Sequence, residues 1–77
     1  METVLSDLIR NKGKTVTLTF DDGDVVDAEL LDIDTKEHDD IVFRIVQVRR
    51  ATNPALYSRE GFLVASIPSI VKVELAG

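Results

Sequence analysis

The chain has no cysteine and no tryptophan, and only one histidine, one tyrosine and three phenylalanines among its 77 residues. Without cysteine, neither a disulfide framework nor a thiolate metal site can supplement the core. A single histidine leaves little scope for imidazole-based catalysis, because an activated nucleophile needs a base held beside it. The serines Ser6, Ser58, Ser66 and Ser69 lie in no nucleophile motif, so no enzymatic activity and no cofactor are expected. No apolar run approaches the roughly 20 residues that span a bilayer. Residues Met1 to Ser6 also lack the basic start and apolar stretch of a secretory signal. The expectation is one soluble, cytoplasmic domain with no membrane contact, near the lower size limit for independent folding.

Bases are few as well: nine Lys and Arg face fourteen Asp and Glu, for a net charge of −5. The imbalance is local. Residues 21–40 hold ten acids against one base, Lys36, whereas residues 41–77 carry a net +3. An acidic whole excludes a protein that simply coats phosphates, since that binding rests on cations displacing counterions. A local basic face is still allowed.

What is present is mainly β pattern. Val4, Leu5, Leu8 and Ile9 form an apolar stripe at helix spacing, with Thr3 as amino-terminal cap and Gly13 just past the end; this predicts a short helix over 3–12. From Lys14 the period becomes two. Val16, Leu18 and Phe20 alternate with Thr15, Thr17 and Thr19, predicting a half-buried strand over 14–21. Asp22-Gly23 marks a tight turn into a second strand over 25–34. That strand changes phase midway, from Val26, Ala28 and Leu30 to Leu31 and Ile33, as one extra bulged residue would require. Further strands are predicted over 41–49, 61–67 and 70–76, the last with Val71, Val73 and Leu75 on one face. Asn53-Pro54 lies in a long excursion, and Ile67-Pro68-Ser69 makes a short break. A helix followed by five strands, one sharply bent, suits a small, strongly bent antiparallel barrel.

Those residues resemble the Sm-like proteins, which build RNA-associated rings from a short helix and a five-stranded open barrel. Val16, Leu18, Gly23, Leu30 and Asp34 match the family's first motif, with Ala28 where a glycine usually stands. His38 lies four residues beyond Asp34, where the family tends to place a base-facing asparagine, and Lys36 takes the place of its stacking side chain. The resemblance therefore implies contacts to single-stranded RNA from Lys36 and His38. The family's Arg-Gly-type turn between the last two strands is replaced by Ser66-Ile67-Pro68-Ser69. The ending "IPSIVKVE" is also similar to Src-homology-type barrels, whose peptide-binding members line a groove with Tyr and Trp. Here only Tyr57 is available.

Other candidates follow from residue chemistry. Arg44, Arg49, Arg50 and Arg59 with Tyr57 can form a patch offering phosphate contacts and one stacking surface. Neutralisation of these arginines by acids across a subunit contact is the preferred reading, because RNA modules normally carry more than one aromatic platform. Asp32, Asp34, Glu37, His38, Asp39 and Asp40 offer hard ligands, but no calcium-loop spacing, so a solvated acidic turn is expected there and no metal. Self-association has the strongest basis. Ile41, Phe43 and Ile45 oppose Val42, Val46 and Val48 in phase, so the third strand is apolar on both faces, and an open barrel leaves two strand edges. The expectation is a non-enzymatic binding module that pairs with copies of itself in a ring; the alternative is a protein–protein adaptor whose acidic pole meets a basic partner, or a structural oligomer, with no nucleic-acid binding.

Overall fold

The computed structural model describes residues 2–58 and 61–76. Helix α1 spans Glu2–Arg10, and five strands follow: β1 Thr15–Phe20, β2 Val25–Asp34, β3 Asp40–Arg50, β4 Leu63–Ser66 and β5 Ile70–Leu75. Single turns of 3-10 helix occupy Pro54–Tyr57 and Ile67–Ser69. All strands join one antiparallel sheet in the order β4-β3-β2-β1-β5, so β4 and β5 form its two ends. The sheet is not a closed barrel. Among the described residues no helix is long and apolar enough to cross a membrane.

The local chemistry explains these elements. Thr15–Phe20 alternates in burial as it alternates in polarity, placing Val16, Leu18 and Phe20 in the core. Gly23 adopts φ +95° in the turn between β1 and β2, a region that L side chains avoid. Gly13 at φ +85° ends the helical turn, and its N–H donates to the Leu30 carbonyl at 2.7 Å. The phase slip in β2 is a bulge. Leu30 faces Phe43 and Asp32 faces Val42, which leaves Leu31 without an opposite residue. Beyond it, Ile33 faces Ile41 and packs on the core, while Leu31 points outward.

The core joins Leu8 of α1 to Val16, Leu18 and Phe20, Val26, Ala28 and Leu30, Ile41 and Phe43, and Ile70 and Val73. The helix packs chiefly against β5 and β2. Three expectations need correction. Thr3 lies within α1, not at its cap, because the helix already includes Glu2. Ile9 is 59% exposed, since the face that docks a helix this short is set by Leu8 and Val4. In β5, Ile70 and Val73 are buried while Val71 and Leu75 are 55% and 64% exposed. A register shift opposite Thr19/Phe20 leaves Val71 unpaired and reverses the phase there. On β3, Val46 is likewise an extra residue between the pairs Asp27–Gln47 and Ala28–Ile45, and it is 61% exposed.

Candidate functional site

Two buried carboxylates organise one end of the sheet. Asp24 stands between the turn glycine and the first residue of β2 and is fully buried. Its Oδ1 accepts the Thr52 backbone N–H at 2.7 Å and the Thr52 hydroxyl at 3.1 Å, and its Oδ2 accepts the Tyr57 hydroxyl at 2.6 Å. Asp27, three residues on, accepts the Thr17 hydroxyl at 2.6 Å and the Arg49 Nε–H at 2.9 Å on both oxygens. Together they tie the excursion after β3 back onto β1 and β2. No buried side-chain polar atom lacks a partner among the described residues, which is what keeps two buried acids tolerable.

The charge states follow from these contacts. The Tyr57 hydroxyl and then the Thr52 N–H hold the Asp24 carboxyl below its ordinary value, against the opposing effect of burial. The Arg49 guanidinium and the Thr17 hydroxyl do the same for Asp27, and Asp27 in turn raises Arg49. Burial, and then donation to Asp24, pushes the Tyr57 phenol well above its usual range, so it remains a donor at any physiological pH.

The residues expected to contact RNA are therefore dispersed. Arg49 is committed to Asp27 and Tyr57 to Asp24. Arg44 faces Glu29 across the β2–β3 pair and forms an ion pair with it. Arg50 ends β3 opposite Val25 and makes no ion pair among the described residues. Lys36 and His38 lie on the β2–β3 loop, well apart in sequence and structure from that arginine set. The Lys36 N–H donates to Asp34 Oδ1 at 3.1 Å, and His38 Nδ1 stands 3.6 Å from Asp34 Oδ2. Arg59 lies outside the described residues. The acidic loop is ordered by its own backbone: Glu37 and Lys36 N–H groups lower the Asp34 carboxyl, and the Ile33 N–H followed by Lys12 lowers Asp32. Among the described residues no three acids or histidines converge as a metal site would require.

The sequence pattern does not point to Asp24 and Asp27. Their partners sit 22 to 33 residues away for Arg49, Thr52 and Tyr57, so no local spacing signals them. A second feature is also invisible locally. All four aromatic side chains of the chain, Phe20, Phe43, Tyr57 and Phe62, line one open cleft of about 600 Å³. It is lined by Leu63–Ser66 of β4 and also by Asp21, Asp22 and Ser69. Phe62 is 67% exposed at its mouth, and Leu56 is 55% exposed beside it. Comparison with family models, curated proteins and solved structures finds no match to this chain.

Proposed function

We propose that this chain is a non-enzymatic, self-associating module of the Sm-like small-barrel type, whose copies join through the two unpaired ends of the sheet. One observation carries this reading: both end strands present exposed apolar side chains next to free backbone. Val64 on β4 is 59% exposed and adjoins Phe62, while β5 offers Val71 and Leu75. A free strand edge is a template for another strand, and a monomer normally blunts it with charge, proline or a cover. Among the described residues, β5 carries Lys72 and Glu74 and is packed by α1, and β4 carries no charged side chain.

Barrel-like curvature is supported by the bulge at Leu31 and by the contact of Phe20 with Phe43. Their strands are separated by β2, yet the ring centroids lie 6.4 Å apart, as side chains on a concave face do. A contact that joins β4 of one copy to β5 of the next uses two different surfaces and is heterologous. It generates a ring where the rotation closes and a filament where it does not. We include no RNA contact in this reading, because Glu29 and Asp27 already neutralise Arg44 and Arg49 in a chain of net charge −5.

Light scattering across a sizing column tests the proposal. The expected molar mass is two or more whole multiples of 8.5 kDa. A mass of one chain at micromolar concentration overturns it.

A further inference from the structure

The cleft that gathers the four aromatic rings also carries negative charge with no cation set against it. Phe20 and Phe43 stand with centroids 6.4 Å apart and ring planes inclined by 38°, and Tyr57 and the exposed Phe62 complete the aromatic lining. The charged residues among the lining are Asp21 and Asp22, both exposed. The Asp21 N–H donates to the Ser69 carbonyl at 2.8 Å, which holds that acid at the cleft. The Tyr57 hydroxyl leads to a third acid, the fully buried Asp24, whose donors Thr52 and Tyr57 are all neutral. Among the described residues no Lys or Arg forms an ion pair with any of these three carboxylates. Aromatic faces attract cations through their quadrupole, and a phenol that donates to a carboxylate is polarised in the direction that strengthens this attraction. The arrangement calls for positive charge carried on an apolar surface.

We propose that the cleft receives a methylated lysine side chain of another protein, its ammonium group against the aromatic rings and facing Asp21 and Asp22. The chemistry of the lining selects the methylated form. A bare ammonium brings three N–H donors and a guanidinium five, and each needs an acceptor once it leaves water. The Tyr57 and Ser69 hydroxyls are already engaged, with Asp24 and with the Ser66 carbonyl at 2.6 Å each, and the rest of the interior is mainly rings and aliphatic side chains. A trimethylated ammonium has no donor to satisfy and meets the rings with methyl groups over a full positive charge. The form of the cleft selects a side chain over a free small cation. It is open and about 600 Å³, within the range that houses a drug-sized ligand, so it takes the lysine together with part of the segment that bears it. Leu56 and Phe62, exposed at the mouth, offer apolar contact to that segment. All of these residues belong to one chain, so the site goes beyond the self-association reading and does not rest on it.

Tyr57 is the sole tyrosine and the chain has no tryptophan, so intrinsic fluorescence reports on this cleft alone. The full chain is titrated with four probes: a short peptide carrying trimethyllysine, the same peptide with unmodified lysine, the same peptide with a neutral tert-butyl group in place of the trimethylammonium, and free choline. The trimethylated peptide is expected to bind with a Kd below about 1 mM, and the unmodified and neutral peptides at least about tenfold more weakly. Choline is expected to bind more weakly than the trimethylated peptide. Phe62→Ala should weaken binding about tenfold and melt like the unaltered chain, since the ring is exposed. Asp21→Asn should weaken it at low salt and much less at high salt, because an exposed carboxylate is screened. Asp22 is kept, because its Oδ1 accepts the Asp24 N–H at 2.9 Å and shapes the turn. Equal binding of the trimethylated peptide and either of the other two peptides would overturn the proposal, as would no response to it at about 1 mM. Choline binding as tightly as the peptide would overturn the assignment to a protein side chain. Unchanged binding by Phe62→Ala would place the ligand elsewhere and overturn it as well.

Discussion

Asp24→Ala is expected to lower the melting temperature by roughly 10 °C or more, although the residue lies at a turn and not among the apolar core. The substitution removes one side chain and strands three donors at once: the Thr52 N–H, the Thr52 hydroxyl and the Tyr57 hydroxyl. Leaving donors unpaired in a dry site costs more than the net worth of the bonds themselves. The excursion that carries Leu56 and Tyr57 should loosen with them, taking one wall of the aromatic cleft away. Tyr57→Phe strands no donor and removes only one of the contacts, so a smaller drop is expected. The same carboxylates set the acid limb. Folding lowers the Asp24 and Asp27 values below the ordinary 3.8, so the unfolded chain binds protons first as pH falls. Their stabilisation is complete above that value and is lost as pH descends through the folded values. The unaltered protein should therefore lose melting temperature steeply below pH 3.8, and Asp24→Ala less steeply. Thermal denaturation by circular dichroism across acidic pH checks both; an Asp24→Ala variant that melts like the parent would contradict the clamp.

Leu8→Ala is expected to cost about 3 kcal/mol, the middle of the range for a buried leucine truncated to alanine. Leu8 is fully buried and, among the described residues, is the α1 side chain in the buried core cluster, with Val4 packed against it. A nine-residue helix is too short to persist by itself, so its order depends on that contact. In a chain this small the loss is a large share of a typical stability of about 5–15 kcal/mol. The expected result is a melting temperature lower by roughly 10–20 °C, with part of the helical signal gone before the sheet unfolds. Ile9→Ala is the matched control. Its side chain is 59% exposed, so a change within about 0.5 kcal/mol is expected. Equal melting of the two variants would show that α1 is not anchored through Leu8.

The residues that were legible in the sequence are those whose patterns are local. Thr15–Phe20 alternates cleanly and folds as it alternates. The slip at Leu30-Leu31 is itself a local signal, because a bulge is the simplest way to keep Leu30 and Ile33 on one face. Val71 failed for the opposite reason. "VKVEL" alternates perfectly, and only the pairing of Thr19 and Phe20 with β5 forces the extra residue there. Ile9 belongs to a stripe wider than the strip of sheet available to a short helix. The sequence offers Arg49 and Tyr57 as a patch and prefers neutralisation of the arginine, but it does not indicate their partners, because Asp27 and Asp24 are far away along the chain. The aromatic cleft has the same origin: residues 20, 43, 57 and 62 meet only once the sheet is assembled.

Residue-resolved amide exchange in the assembled protein examines the edge contact most directly. If copies join β4 to β5, the outward amides of Leu63–Ser66 and Ile70–Leu75 should exchange slowly in the assembly, like those inside the β1–β2 pair, and quickly on dilution to single chains. Outward amides of both strands that exchange as fast as open edges at every concentration would contradict edge-to-edge association.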